Sequence, residues 1–406
     1  MPSSKNAAIG FIFFTLLIDI IGLGIIIPVM PGLITQLKGV DVSEASKYGS
    51  FLTFAFAFMQ FLCASFIGSL SDKYGRRPVL LFSLFCFGID YLFMAVAPTY
   101  GWLFVGRIIA GMAGASIITG FAYIADISVP ENRAKNFGMV GAAFGLGFII
   151  GPVIGGLLGK FGPRIPFYAA ALLALLNCLY GYFILPESLA KEHRRPFSWK
   201  RSNPLGALLN LRKYPALGWL IAAIALVHIA SHAVQSNWNY FTMHRFGWDE
   251  GMVGISLGVV GVLVAIVQGV LPRVINKRIG NVKSIYTGLL LYTIGMFLFG
   301  VASQGWMMFV FLVPYCCGGI AQPSLQAVMA GQVPPNAQGE LQGAVAGLQS
   351  VAAIIGPLLM NNLFFYFTHS EAPVYLPGAP FLLGGLLLAL AFILAYRTLQ
   401  VKKRIS

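Results

Sequence analysis

Two carboxylates and one guanidinium interrupt runs that are otherwise apolar: Asp19 in LLIDIIGLGIII, Asp90 in CFGIDYLF and Arg107 in LFVGRIIAGM. An ionised side chain at the centre of a membrane helix costs ~2.5–3.5 kcal/mol on insertion scales, so each needs a partner or a watered cavity. Desolvation favours the neutral carboxyl and a neighbouring guanidinium favours the charged one, so a buried Asp–Arg pair can take up a proton and release it. Asp19 lies about ten residues into its run, roughly 15 Å from the run's start at 1.5 Å per residue. Asp90 lies at similar depth, and Arg107 enters from the opposite side. The expectation is that Asp19 is a proton or cation site with Arg107 as its modulator, and that Asp90 is a second acid of the same kind. A static pair tying two helices together is the plainer alternative. His228 and His232 stand i, i+4 and share a helix face. They are read as cavity-lining groups together with Gln60, Gln235, Trp238 and Gln268; packing histidines are the alternative. No third ligand accompanies them, so neither a metal nor a cofactor is expected.

The elements that hold these residues are membrane spans. The 406 residues are 58% hydrophobic and 10% charged, with a mean hydropathy of +0.80. Soluble domains carry about 25% charged residues, which excludes a soluble enzyme. All five cysteines sit in apolar stretches, which excludes a disulfide framework. Apolar runs of about 20 residues fall at 9–31, 49–70, 78–97, 100–124, 135–159 and 165–185. After a break come 216–241, 251–271, 283–302, 304–329, 341–366 and 378–396. The first run is too long for a removable signal peptide. The predicted organisation is therefore all-α, with twelve transmembrane helices in two six-helix bundles, 1–186 and 216–406, joined by a cytoplasmic linker at 187–215.

Net charge fits this layout. Of the 27 basic residues, Lys38, Lys47, Lys160, Arg164 and Arg245 fall in loops of one parity and Arg107 falls within a span; all the others lie in the termini or in loops of the opposite parity. By the positive-inside rule both termini and the linker face the cytoplasm. The excess of +14 is thus an orientation signal, and no nucleic-acid partner is expected. The halves also echo one another: Pro130, Gly138, Gly151 and Pro152 recur at one constant offset as Pro335, Gly343, Gly356 and Pro357. Internal duplication with a site between the repeats is a transporter design.

The loop after the second span reads Gly68-Ser-Leu-Ser-Asp72-Lys-Tyr-Gly75-Arg76-Arg77-Pro78. Gly75 permits a tight turn, Pro78 suits the first turn of the next helix, and Arg76 and Arg77 are in reach of acids or lipid phosphates. The string resembles the signature loop of the major facilitator superfamily, which lies between the family's second and third helices. In the fifth span, Gly147-Phe-Ile-Ile-Gly151-Pro152-Val-Ile-Gly155-Gly156 resembles the antiporter motif of the superfamily's drug:proton exporters. Small residues there allow close helix approach, and Pro152 bends the rod. Much of the rest, including LLIDIIGLGIIIPVMP, FGLGFIIGPVIGG and GGIAQPSLQ, is similar to the tetracycline-efflux branch.

The resemblance implies the major facilitator fold, with two pseudo-symmetric bundles rocking about a central cavity. It also implies export of a small amphipathic compound against inward proton flow, by a monomer in contact with membrane lipid, with Asp19 and Arg107 at the positions linked to substrate and proton handling. The absence of an Asn-x-Ser/Thr acceptor favours a bacterial inner membrane. The branch carries a histidine in its eighth helix and an acid in its ninth, and those places hold Val264 and Tyr292 here, a departure that bears on tetracycline itself as the substrate. In the loop 273–283, Gly280 is kept but Lys277 stands where Asp72 would repeat, so the signature-loop latch is expected on one side only. Two other readings stay open: a proton-coupled symporter or facilitator of a metabolite, and a receptor or lipid-handling protein on the same scaffold.

Overall fold

The computed structural model describes residues 2–114, 116–129, 132–197, 217–334 and 338–405. The remainder of the predicted linker, and Pro130 and Pro335 of the repeat, lie outside the described residues. Among those described there are fifteen α-helices and no strand. Eleven stretches are long and apolar enough to cross a membrane. They account for every predicted span but the fourth, which is divided.

In chain order the first half runs α1 Pro2–Ile26, α2 Met30–Lys38, α3 Val42–Tyr74, α4 Arg76–Val96, α5 Tyr100–Ala113, α6 Ser116–Ile127, α7 Arg133–Gly159 and α8 Ile165–Ile184. The second half runs α9 Gly218–Gln235, α10 Trp238–Phe246, α11 Glu250–Val301, α12 Gly305–Cys317, α13 Ala321–Ala330, α14 Gln338–Thr368 and α15 Ala379–Ile405. Three predicted spans are broken, the first of them after Ile26, where the chain turns and resumes as α2 at Met30. The fourth stops at Gly114 and resumes as α6, and the seventh stops at Ser236–Asn237 and resumes as α10. Conversely, α11 joins two spans through a single non-helical residue, Gly280, at φ 78° and ψ 162°. Gly75, between α3 and α4, has nearly the same backbone (φ 106°, ψ 161°). Both demand glycine, and both mark the point where the chain reverses between spans.

The chain forms two compact units. The first comprises Met1–Val40, Ala55–Pro204 and Trp248–Gly261, so it holds the first turns of α11 as well as the first-half helices. Within it α1 packs on α6, α7 and α8, while α4 packs on α5, α6 and α8. Phe11, Ile12 and Leu16 of α1 meet Leu80 and Leu84 of α4, Tyr123 and Ile124 of α6, and Val140 and Ala143 of α7 in one buried cluster. Lipid is as apolar as leucine, so this contact is held by van der Waals fit rather than by escape from water.

The second unit comprises Asp41–Phe54, Leu205–Gly247 and Val262–Ser406. Here α9 packs on α14 and α15. An aromatic core joins Trp238 to Phe299 and Phe241 to Phe381, at 5.2 and 4.8 Å between ring centroids. The first turns of α3 are stitched to α14 by serines on one face: Ser43 pairs with Thr368, Ser46 donates to the Asn361 carbonyl (3.2 Å), and Ser50 accepts from Asn362 (3.3 Å).

Candidate functional site

The buried ion pair that the sequence leads one to expect exists, but with a different acid. Arg107 of α5 pairs with Asp90 of α4, and the two are 6% and 2% exposed. Asp90 is thus the ion-pair partner of Arg107. Helical rise sets the depth of a residue, but the rotation of each helix chooses its partner, and α4 packs directly on α5. Gly106 makes room for the contact, since a Cβ there would lie 2.9 Å from Asp90 Oδ1. On its other side the Arg107 guanidinium lies over the Phe56 ring, 5.3 Å from its centroid. Asp19, 2% exposed, sits on α1 one turn from Gly22, against which the Tyr91 ring packs: a Cβ on Gly22 would lie 3.3 Å from Tyr91 Cε2.

Gln60 holds the break in the fourth span. From α3 its amide donates to the Gly114 carbonyl (3.1 Å), one of the acceptors left free where α5 ends. The other residues expected to line a cavity are scattered by environment. His228 and His232 are half-buried on α9; a Cβ on Gly356 would lie 2.7 Å from the His232 Cβ, so the ring rests against α14. Gln235 and Gln268 are exposed on their helices. Trp238 is 1% exposed and edge-on to Phe299, so it is a core residue, a correction to its reading as a cavity wall. Aromatic residues beside a helix break serve packing as readily as binding, and sequence does not separate the two.

At the end of α3 the signature loop forms a polar latch. Gly68 faces open space. Arg76 reaches Asp72 (2.6 Å), Ser71 (2.6 Å) and Asp126 at the end of α6 (3.1 Å). Arg77 donates to the Tyr182 carbonyl (2.6 Å). Glu187, just past the end of α8, organises the rest. Glu187 accepts the backbone N–H groups of Arg76 (2.8 Å) and Arg77 (3.3 Å) at the start of α4. It also accepts those of Ser188 (3.0 Å) and Leu189 (3.1 Å). An anion at a helix N-terminus satisfies orphan donors and opposes the positive end of the dipole. A Cβ on Gly75 would lie 2.7 Å from the Glu187 carboxyl carbon, a second reason for glycine there. An open groove of about 730 Å³ lies beside this latch, lined by Asp72, Arg76, Asp126, His193 and Arg195 among others.

The glycines of α7 divide into two faces. On one, a Cβ at Gly147 would lie 2.7 Å from Ile20 Cβ and one at Gly151 would lie 2.8 Å from Gly24 Cα, while Gly155 abuts the Ile25 backbone of α1. On the other, Pro152 and Gly156 meet the first turns of α11, where a Cβ on Gly156 would lie 3.0 Å from Gly254 Cα. The motif thus sets two helices at backbone distance from a third. Spacing i, i+4, i+8 accounts for the first face, and the adjacent residues supply the second.

The sequence profile described as Major Facilitator Superfamily matches residues 12–357 and, in a second match, 240–405. The chain is 40% identical over 360 residues to the tetracycline resistance protein, class C, of Escherichia coli, covering 89% of this chain and 90% of that one. It is 34% identical over 395 residues to the tetracycline resistance protein, class H, of Pasteurella multocida, covering 96% of each. Its fold is similar to that of the human organic anion transporter MFSD10 (TETRAN), with a TM-score of 0.70, 23% identity, and coverage of 96% of this chain and 99% of that one.

Proposed function

Since the chain belongs to the Major Facilitator Superfamily and is a multi-pass membrane transporter, we propose that it is a proton-coupled exporter of small amphipathic organic compounds. The observation that carries this reading is the similarity to tetracycline resistance proteins along most of the chain. The packing of the α7 glycines on both α1 and α11 supports antiport, because that motif is what the chain has in common with drug exporters.

In this reading the transporter works as a monomer in a bacterial inner membrane, with both termini in the cytoplasm and with two bundles, 1–186 and 216–406, as its moving parts. Asp19 carries the proton. Deprotonated and open to the cytoplasm it favours substrate, and an incoming proton from outside displaces that substrate. Asp90 and Arg107, paired in the same bundle, set the local field without leaving each other. Half-buried His228, His232 and Gln60, with exposed Gln235 and Gln268, supply hydrogen bonds to the cargo. The cargo is not restricted to tetracycline. Tyr292, where that branch has an acid, offers no carboxylate, and its ring meets Tyr315 at a tilt, 4.8 Å between centroids.

Inverted membrane vesicles test the reading. Cationic dyes and tetracyclines are expected to accumulate in step with an imposed pH gradient, and Asp19→Asn to abolish that dependence. Undiminished coupling in Asp19→Asn refutes the assignment of Asp19. Uptake by intact cells down the proton gradient refutes export.

A further inference from the structure

Past the end of α8, the segment 187–197 does not leave the first unit but crosses the ends of three other helices in turn. At α6, the Tyr123 hydroxyl donates to the Pro186 carbonyl at 2.9 Å, and Ser188 Oγ donates to Asp126 at 3.2 Å. At α4, the Glu187 carboxylate holds the first two backbone amides. A short helical turn, Lys191–His193, then brings the chain back over the signature loop. There the Arg194 guanidinium lies 3.9 Å from Glu187 and 3.0 Å from where a Cβ would stand on Gly75. At α3, the Arg195 amide donates to the Asp72 carbonyl at 3.1 Å, and the Phe197 ring meets Phe66 edge-on, 5.3 Å between centroids. From Phe66 to Asp72 is about 9 Å along the helix at 1.5 Å per residue, so α3 is gripped over more than a turn.

The turn itself does not require this cover, since Gly280 has nearly the same backbone with open space around it. The contacts instead duplicate the charged latch by other means. Arg76 ties α3 to α6 through Asp72 and Asp126, and Asp72 is 40% exposed, so that tie weakens as salt screens it. The segment 187–197 joins the same two helices through the Tyr123 hydroxyl, the Arg195 amide and the Phe66–Phe197 pair, contacts between neutral groups that salt screens little. We propose that it is a strap that keeps the signature loop in register, with Glu187 and Phe197 as positioning residues at its two anchors. Through them the linker governs whether Arg76 stays between Asp72 and Asp126. A loose end of α3 takes up tilt as slack, whereas a fastened one passes it from helix to helix. The strap therefore sets the rate of turnover rather than the affinity for cargo, a role that rests on the exporter reading.

Amide hydrogen exchange on the purified full-length protein, without drug, tests the strap. Peptides covering 188–197 are expected to exchange about tenfold or more slowly than the same sequence as a free peptide. An edge-to-face aromatic pair shifts an opening equilibrium about two- to tenfold. Phe197→Ala is therefore expected to speed exchange by that factor in the strap and also at Arg76 and Arg77, whose amides lie at the other anchor. High salt is expected to widen the gap from wild type, because the charged tie then carries more of the load. Phe197→Leu, which keeps an apolar contact, should fall between the two. Phe161→Ala, which removes a ring 80% exposed just past the far end of α7, should change nothing. In inverted vesicles, Phe197→Ala is expected to lower the maximal rate of drug accumulation about two- to tenfold at an unchanged half-saturating concentration. Free-peptide exchange at 188–197 in wild type, or full protection at Arg76 and Arg77 in Phe197→Ala, overturns the strap. An unchanged maximal rate overturns its role in turnover. Wild-type vesicles that carry no drug refute the exporter reading alone, because exchange is read without transport.

Discussion

Neutralising one partner of the Asp90–Arg107 pair should cost far more than neutralising both. Asp90→Asn leaves a guanidinium that is 6% exposed with no counter-charge. Breaking a buried pair on one side costs about 3–5 kcal/mol. The Phe56 ring beneath the guanidinium is there with or without Asp90 and so does not offset that cost. The expectation is a loss of about 3–5 kcal/mol for Asp90→Asn. Arg107→Gln should lose less, because the stranded carboxyl can protonate, and its loss should shrink as pH falls. The double variant Asp90→Leu/Arg107→Met buries no charge and should return close to wild type. Unfolding free energies of wild type, Asp90→Leu, Arg107→Met and the double variant in mild detergent complete a double-mutant cycle, with an expected coupling of about 2–3 kcal/mol. Gly106→Val is an independent probe, since its side chain would enter the space held by Asp90 Oδ1. Coupling below about 0.5 kcal/mol refutes the argument. So does a larger coupling of Arg107 to Asp19 than to Asp90.

Three further outcomes follow from the packing and the latch. Gly151→Leu should cost roughly 3 kcal/mol or more, with loss of transport, because the backbone of α1 lies within 3 Å of the new Cβ; Gly145→Ala, with nothing within 4 Å, should gain about 0.5–1 kcal/mol, and thermal unfolding reads both. Glu187→Ala should cost about 1–2 kcal/mol, discounted for its exposure, and should speed trypsin cleavage after Arg76, with Glu187→Gln intermediate. His244, whose ring meets the Tyr375 hydroxyl at 3.2 Å, is held below its ordinary 6.5 by burial, with Asp41 pulling up and Arg245 pushing down. The folded state therefore binds this proton less readily than the unfolded one. Stability should be full above pH 6.5 and fall below it, and His244→Gln should flatten that part of the pH–midpoint curve.

Spans were legible in the sequence because apolar length and loop charge are one-dimensional properties. Depth was legible for the same reason, and Asp19, Asp90 and Arg107 are all buried as expected. Partner choice was not, since it turns on which face of α4 meets α5. The Gly114 break was hidden inside an unbroken apolar run, and Gln60, read as a cavity wall, also caps it. Glu187 escaped notice because its ligands, the amides of Arg76 and Arg77, carry no signal in side-chain identity. The two-faced packing of α7 was half legible: the periodicity of its glycines pointed to one neighbour, and the second became visible only once α11 was placed.

The division of the fourth span has a mechanical consequence. At 1.5 Å per residue, the 14 residues of α5 reach about 21 Å and the 12 of α6 about 18 Å, so neither bridges a 30 Å hydrocarbon layer alone. A continuous rod would transmit every tilt from one membrane surface to the other. Here the segment that bears Arg107 ends at Gly114, and the segment that bears Asp126, and with it the latch, begins after it. At that joint the rod is interrupted, so a tilt of α5 is not carried rigidly into α6, and the Gln60 amide holds the Gly114 carbonyl at the point where the two segments part.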